Sequence, residues 1–288
     1  MEAKLLLIQA LSPLHAGTGQ GVGVIDQPIA REKATDIPFL PGTTIKGVFR
    51  DACPEADRNN IFGPDTGSAE LYSGAATFTD ARLLLLPVRS LRGVFAWVTS
   101  PLLISRLMRD AQRITDVSKL SQKPDVDDNT CLISQKDSAN KADKDSALLM
   151  SFNNKDTVVL EDLELTAQSS NDVNELADWL KTNFALDAKE RLCIISDDNL
   201  AFLLETATEI TARIAIEKDK KTVKDGALWY EEALPVETVL VSMVVAINNT
   251  RIQPATVFTK VKSLTDKSLQ FGGNATVGRG LCKAALIG

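Results

Sequence analysis

The chain has 288 residues, of which 44% are apolar and 24% are charged, with a formal net charge of −6. This is the composition of a soluble globular protein with a sizeable core. No apolar run approaches the roughly 18 residues that a membrane span needs. The N-terminus has an early acid and no small-residue cleavage site, so it does not read as a signal peptide. We therefore expect a cytoplasmic protein with no membrane partner.

Histidine and cysteine usage argues against several kinds of site. The only histidine is His15, which argues against multi-histidine metal centres and leaves little room for a Ser-His-Asp triad. The four cysteines stand far apart without a CxxC pair, so we expect buried reduced thiols and no zinc ribbon. Although the net charge of the chain is negative, its C-terminal segment is basic, because residues 251–288 hold six basic side chains and one acid. A local basic face of this kind is compatible with phosphate binding.

The first third of the chain predicts a strand, a long glycine-rich loop and a short helix. An apolar run at 5–11 is strand-like, and the loop extends from about residue 12 to 41. Glycines alternate in this loop, at Gly17, Gly19, Gly21 and Gly23. A loop of such length is usually functional or mobile. The apolar spacing from Ile45 to Ala52 predicts a helix, with Thr43 or Thr44 as its N-cap.

The middle of the chain predicts strands at about 75–88 and 95–98, then a helix that begins at Pro101 with Thr99 or Ser100 as cap. The apolar pattern dissolves from about 115 to 147, which we interpret as an exposed insertion. Two further helices are predicted, at about 172–184 and 199–209.

The last third predicts a hairpin-like excursion at about 211–240, formed by strands on either side of the charged turn EKDKKTVKDG. A strong Val-rich strand runs from about 236 to 247. The chain then passes through the glycine-rich stretch GGNATVGRG to a final strand at 281–287. Strands alternate irregularly with helices, so the predicted class is α+β.

Considered one residue at a time, each candidate site also has a purely structural interpretation. GTGQGVG matches no dinucleotide or P-loop fingerprint, and it is equally typical of a flexible surface loop. Asp26 is a loop carboxylate suited to metal binding or proton transfer, although most loop aspartates are only solvated. Lys46 and Arg50 lie near a helix N-terminus, which favours the binding of anions. Such a pair is, however, commonly part of a solvent-exposed helix face that binds no ligand. Arg279 sits in a turn rich in backbone donors, and Glu231 and Glu232 suggest a solvated hairpin edge.

Longer blocks resemble a known family. The segments HAGTGQGVGVIDQPIAREK at 15–33 and PFLPGTTIKGVFR at 38–50 resemble the signature of RAMP proteins. TFTDARLLLLPVRSLRGVFAWVTSP at 77–101 is similar to the backbone subunit, the fourth, of type III-B (Cmr) CRISPR effector complexes. GALWYEEALPVETV at 226–239 and GGNATVGRGLC at 272–282 fit the same family.

The resemblance implies a ferredoxin-like palm, related to the RNA-recognition motif, with insertions and a hairpin thumb. We expect the excursion at 211–240 to be that thumb. The implied partners are CRISPR RNA, target single-stranded RNA, further copies of the chain and other Cmr subunits. The implied activity is endoribonuclease cleavage of target RNA at regular intervals, with Mg²⁺ or Mn²⁺ as the cofactor.

The resemblance also assigns residues. Asp26 matches the catalytic aspartate, which also makes it a candidate metal ligand, and His15 matches the histidine of the same loop. Tyr230 and Glu232 are carried over as further catalytic candidates. The expected RNA contacts are Gly17, Gly19, Arg31, Lys33, Lys46, Arg50 and Arg279. Two alternatives stay open: a non-catalytic scaffold that only binds guide RNA, and a small-molecule phosphate-binding enzyme.

Overall fold

The computed structural model describes residues 1–19, 25–65, 67, 72–121, 123–135, 146–152, 155–217, 219, 223–248 and 250–288. Its strands are β1 (Glu2–Ala10), β2 (Phe39–Leu40), β3 (Ala76–Phe78), β4 (Ala81–Ser90), β5 (Val94–Thr99), β6 (Thr130–Ser134), β7 (Met150–Phe152), β8 (Lys155–Leu160), β9 (Leu163–Ser170), β10 (Leu192–Ile194), β11 (Glu209–Ile216), β12 (Val223–Ala233), β13 (Val239–Ala246), β14 (Leu269–Gln270) and β15 (Leu281–Ile287). Its α-helices are α1 (Gly42–Ala52), α2 (Glu55–Phe62), α3 (Pro101–Ala111), α4 (Asn171–Phe184), α5 (Asp197–Thr206) and α6 (Pro254–Leu264). Among the described residues, no helix has the length and apolarity needed to cross a membrane.

Four long strands form an antiparallel palm in the order β15-β1-β13-β4. In the chain, α1 lies between β1 and β4, and α6 lies between β13 and β15. With the short elements set aside, the palm therefore runs β-α-β-β-α-β, which is the ferredoxin-like connectivity. The predicted α+β class with a ferredoxin-like palm is confirmed.

The palm is buried on both faces. Along β1, Leu6 and Ile8 belong to one buried cluster that includes side chains of α1 and α6, whereas Leu5 and Leu7 belong to a second cluster with side chains of α3 and α4. Successive residues of a strand point to opposite faces, so both faces demand apolar residues. This explains why the strand reads as an uninterrupted apolar run.

Beyond β4 the sheet continues through an inserted lobe in the order β5-β10-β6-β9-β8-β7. The strand β6 lies inside the segment 115–147, which we predicted to be an exposed insertion. That prediction is wrong for 130–134, because Cys131, Leu132 and Ile133 are buried between β10 and β9. Val117 and Leu120 are buried as well. Residues 136–145 of the predicted insertion lie outside the described residues.

The strands β11 and β12 form a separate two-stranded antiparallel sheet, with Glu209 opposite Ala233 and Ile216 opposite Val223. The strands β11 and β12 form a hairpin from 209 to 233, which overlaps the excursion predicted at 211–240 and begins two residues before it. The next strand, β13, returns to the palm. One face of this hairpin exposes apolar side chains, including Ile210 and Leu228. Its action as a thumb stays a prediction.

The predicted N-cap of α1, Thr43 or Thr44, is wrong, whereas Ser100 is the N-cap residue of α3, as predicted. At both helices a distant carboxylate accepts a hydrogen bond from an amide of the first turn. The α1 N-cap position is Pro41, and the amide of Gly42 donates to Oδ1 of Asp80 at 2.8 Å. At α3 the N-cap residue is Ser100, as allowed, but its hydroxyl makes no capping bond. The amide of Leu102 instead donates to Oδ1 of Asp197 at 2.9 Å. The thiols of all four cysteines are free and buried, as predicted.

Candidate active site and nucleic-acid interface

The segment 25–29 of the glycine-rich loop lies beside the base of the hairpin. Gln27 forms a parallel bridge with Glu231, in which the amide of Gln27 donates to the carbonyl of Tyr230 and the amide of Glu232 donates to the carbonyl of Gln27, both at 3.0 Å. The amide of Tyr230 also donates to Oδ2 of Asp26 at 2.8 Å. The exposed Asp26 carboxylate is thus held at one oxygen by main chain.

His15 is buried, and its ring is fixed by a main-chain contact. Nδ1 lies 2.7 Å from the carbonyl oxygen of Glu232. Since a carbonyl oxygen only accepts, Nδ1 carries the hydrogen, and Nε2 is left to exchange a proton with a ligand. Nε2 lies over Gly17, where an added Cβ would come within 2.5 Å of it. Glycine at position 17 therefore makes room for the imidazole.

Three separate stretches of sequence meet in one cleft of about 460 Å³. The lining residues are His15, Gly17, Gly19, Asp26, Gln27, Pro28, Gly273 and Asn274. The second glycine-rich stretch is pressed against the first: a Cβ on Gly272, whose φ is +73°, would lie 2.2 Å from the carbonyl oxygen of His15. The structure therefore brings two of the four predicted catalytic residues, His15 and Asp26, to the same cavity, whereas Tyr230 and Glu232 do not line it. Gly21 and Gly23 lie outside the described residues.

Glu231 joins the hairpin to the C-terminal stretch. Its carboxylate is 2% exposed and accepts from Nε of Arg279 at 2.9 Å and from Nδ2 of Asn274 at 2.8 Å. The guanidinium of Arg213 lies 3.3 Å away on the same carboxylate. Arg279 also donates to Oγ1 of Thr211 at 3.0 Å. This cluster fixes Asn274, which lines the cleft, relative to both strands of the hairpin.

Glu232 points to the other face of β12 and holds the loop segment from that side. It is 3% exposed. Its Oε1 accepts from Nη2 of Arg31 at 2.7 Å, and its Oε2 accepts from the amide of Ile29 at 3.1 Å. The interpretation of Glu231 and Glu232 as a solvated edge is therefore wrong. Buried carboxylates must be paired, and each here has an arginine.

Comparison with known proteins identifies the family of this chain. A sequence model of the RAMP superfamily matches residues 7–283. The chain belongs to the RAMP superfamily. Over 99% of its length it is 35% identical to the CRISPR system Cmr endoribonuclease Cmr4 of Pyrococcus furiosus, of which 96% is covered. This identity places it in the Cmr4 family of RAMP proteins.

Solved structures give the same relationship. The crystal structure of oligomeric Cmr4 from Pyrococcus furiosus is similar with a TM-score of 0.73 and 29% identity, over 99% of this chain and 98% of that one. A chain of the type III-B Cmr-beta complex bound to cognate target RNA, solved by cryo-EM, has a TM-score of 0.74 at 19% identity and shares the fold. It covers 99% of this chain and 97% of that one.

Not all of the predicted RNA contacts of this RAMP protein are free to bind. Arg31 and Arg279 are occupied by Glu232 and Glu231, with side chains only 17% and 10% exposed. Arg50 donates to the carbonyl of Gly63 and to Asp65 at 2.8 Å. By contrast, the side chains of Lys33 and Lys46 make no hydrogen bond or ion pair with any other described residue. Their contact with RNA phosphates stays a prediction.

The described residues offer few ligands for the implied metal. No group of three or more His, Cys, Asp or Glu side chains that suits a metal ion occurs among them. Asp26 is the only carboxylate among the described residues that line the cleft. Mg²⁺ in proteins is often held by one or two carboxylates together with water and substrate phosphates. Asp26 therefore fits a metal that is shared with a bound phosphodiester.

Sequence reasoning did not single out Asn274 or Gln27 as site residues. Asn274 has φ +61° and ψ +29°. This is the left-handed conformation, in which asparagine is more common than most other non-glycine residues. Its position directly after two glycines was a usable signal. Gln27 acts only through its backbone in the bridge to Glu231, and no side-chain pattern marks such a role.

Proposed function

We propose that this chain is the guide-RNA-binding backbone subunit of a type III-B CRISPR complex, and that it cleaves guide-paired target RNA at the cleft of His15 and Asp26. The observation that carries the proposal is the meeting of these two side chains in one cavity, each anchored by the backbone of β12. The name of the Pyrococcus relative as an endoribonuclease supports the activity. The RNA-bound Cmr-beta complex supports the fold's use in such an assembly.

RNA carries its own nucleophile for this reaction. The 2′-oxygen of the cut nucleotide attacks the adjacent phosphorus, and the bond from phosphorus to the 5′-oxygen breaks. Asp26 accepts the 2′-hydroxyl proton, and the leaving 5′-oxygen takes a proton from water. The products are a 2′,3′-cyclic phosphate and a 5′-hydroxyl. Holding the sugar and phosphate in line supplies much of the acceleration, so a site with few chemical groups suffices.

His15 has a defined place in this scheme. With Nδ1–H directed at the Glu232 carbonyl, Nε2 is the ring nitrogen left to contact the phosphodiester. It accepts a hydrogen bond when the ring is neutral and donates one to a phosphoryl oxygen when the ring is protonated. A divalent metal held by Asp26 and the RNA would supply Lewis-acid stabilisation of the phosphoryl oxygens.

The assembly follows the same reasoning. The proposed partners are further copies of the chain, other Cmr subunits, the guide RNA and the target RNA, as the oligomeric Cmr4 crystal and the Cmr-beta complex suggest. Copies along a guide would place one cleft at each repeat, so cuts would fall at regular intervals. The hairpin at 209–233, a sheet of its own, is the proposed thumb. Base pairing between guide and target then determines sequence specificity, while the protein contacts the sugar-phosphate backbone of the RNA.

The test is target-RNA cleavage by the reconstituted complex in Mg²⁺, with Asp26→Ala and the control Asp187→Ala. Asp187 is an exposed acid, with a side chain 68% exposed, and it does not line the cleft. We expect a regular ladder that vanishes with Asp26→Ala, persists with Asp187→Ala, and requires the 2′-hydroxyl of the cut nucleotide. Equal target binding by both variants separates chemistry from assembly. A ladder that survives Asp26→Ala would instead leave this chain as a non-catalytic scaffold.

A further inference from the structure

A second cavity, of about 690 Å³, lies on the other side of the segment 25–29 from the catalytic cleft. It is lined by Thr18, Ile25, Pro28, Ile29, Arg31, Asp36, Glu205, Thr208, Ile210 and Glu232. Pro28 lines both cavities. The short segment that carries Asp26 is therefore the wall between them.

The hairpin separates the two cavities in the same way. Ile210 is directly opposite Glu232 in the register of β11 and β12, so these side chains share one face. Both line the second cavity. Glu231 points to the opposite face and contacts Asn274, which lines the catalytic cleft. The base of the hairpin thus has one cavity on each face, and Asp26 lies at the wall that divides them.

The chemistry of the second cavity does not suit a phosphate. Among the described residues that line it, Arg31 is the only basic side chain, and that guanidinium is already paired with Glu232 at 2.7 Å. Asp36 and Glu205 add two further carboxylates to the lining. One positive and three negative groups leave a formal charge of −2, which repels phosphate. The volume is within the range of pockets that bind small organic groups.

The apolar part of the lining suits a flat uncharged group. Ile25, Pro28 and Ile210 contribute aliphatic surface, and Ile210 is 53% exposed although it is a large apolar residue. Thr208 contributes a hydroxyl that has no hydrogen-bond partner among the described residues. Exposed apolar surface beside a reaction site commonly marks a place where a ligand is bound.

We propose that this cavity receives the nucleobase of the nucleotide that is cut. The inference rests on the proposed function, because it takes the scissile phosphodiester to lie in the cleft of Asp26. For in-line attack the base must leave the stack, and the loss of stacking has to be offset by new contacts to the base. The second cavity is separated from the cleft only by the segment 25–29, so a base that leaves the stack can contact the lining of this cavity. Contacts to base faces tolerate any sequence, which matches cleavage directed by a guide.

The experiment compares two targets in single-turnover cleavage by the reconstituted complex. One target is intact, and the other lacks only the base at the cut nucleotide while retaining its ribose and 2′-hydroxyl. Each is cut by the unmodified protein, by Ile210→Ala and by a control, Phe202→Ala. Phe202 is a comparably exposed apolar residue, 46% exposed, on the neighbouring helix α5, and it does not line the cavity.

Loss of the base and Ile210→Ala should each slow cutting about tenfold, in keeping with measured base-stacking contributions. Combined, they should slow it no further, because both remove the same contact. Phe202→Ala should cut both targets as the unmodified protein does. Asp26-dependent cutting that is indifferent to base removal, or additive effects of the two changes, would overturn this inference alone. Absence of any Asp26-dependent cutting would overturn the proposed function and this inference with it.

Discussion

Glu231 and Arg279 form a buried ion pair in which Nε of Arg279 lies 2.9 Å from Oε1 of Glu231, and the two side chains are 2% and 10% exposed. The pair connects the base of the hairpin to the C-terminal glycine-rich stretch. Its members are 48 residues apart in the chain. The pair therefore connects two distant parts of the chain beside the cleft of His15 and Asp26.

Removing one member of this pair should destabilise the fold strongly. Arg279→Met leaves the Glu231 carboxylate buried without its main cation, a change that typically costs about 3–5 kcal/mol. The exposed pair of Lys181 and Asp187, at 61% and 68% exposure, is the control, and Lys181→Met should cost at most about 1 kcal/mol. Urea unfolding of the three proteins gives the comparison. Equal midpoints for Arg279→Met and Lys181→Met would show that the buried pair is not stabilising.

Gly17→Ala should impair cleavage without removing a chemical group. A Cβ at this position would lie 2.5 Å from Nε2 of His15, so the imidazole has to move. Single-turnover cutting should fall at least about tenfold while target binding stays, since a small misplacement of a reacting group has large kinetic effects. The control is Gly47→Ala in α1, where a Cβ meets nothing within 4 Å. That variant should cut normally and gain up to about 1 kcal/mol of stability.

Replacing Lys46 and replacing Arg50 should have different effects, although the sequence analysis treated both residues as RNA contacts on the same helix. Lys46→Ala should weaken guide-RNA binding and lower the slope of log affinity against log salt by about 1, as expected for a lost phosphate contact. Arg50→Ala should instead lower the free energy of unfolding by about 1.5–3 kcal/mol, because Arg50 bonds Gly63 and Asp65. Salt titration of binding and urea unfolding of both variants test this contrast. A salt slope that falls for Arg50→Ala and not for Lys46→Ala would reverse the assignment.

Burial raises the pKa of the Cys282 thiol from 9.0 to about 12. In the unfolded chain this thiol ionises near pH 9, whereas in the folded chain it keeps its proton. Its contribution to stability is therefore full below pH 9 and is lost as pH rises from 9 toward 12. Relative to Cys282→Ala, the protein should lose about 1 kcal/mol per pH unit in that window. Urea unfolding from pH 8 to 10.5 measures it, and parallel pH profiles would contradict it.

Local pattern predicted much of the fold. The apolar spacing of α4 and the run of β15 fixed these elements to within a residue, since one face of each is buried. The strand β6 was missed because only the four residues CLIS interrupt a long polar stretch. So short a run gives no periodicity to detect.

The contacts that build the site were harder to predict, because many of them join residues that are distant in the sequence. Asp26 and His15 were marked by their loop and by family resemblance. The burial of Glu232 was not foreseeable locally, since its partner Arg31 is 201 residues away in the chain. The same holds for the α1 N-terminus, whose partner Asp80 lies 38 residues further on. Such pairs depend on which strands become neighbours, and that is a property of the topology.

The backbone of β12 anchors both Asp26 and His15, through the Tyr230 amide and the Glu232 carbonyl. A change of side chain at Tyr230 leaves the first of these anchors in place, because an amide is present whatever the residue. A slip of β12 by one residue would exchange the faces of Glu231 and Glu232 and break both carboxylate clusters. The root of the hairpin therefore tolerates a new side chain at Tyr230, where only the main chain anchors Asp26, but no change of length.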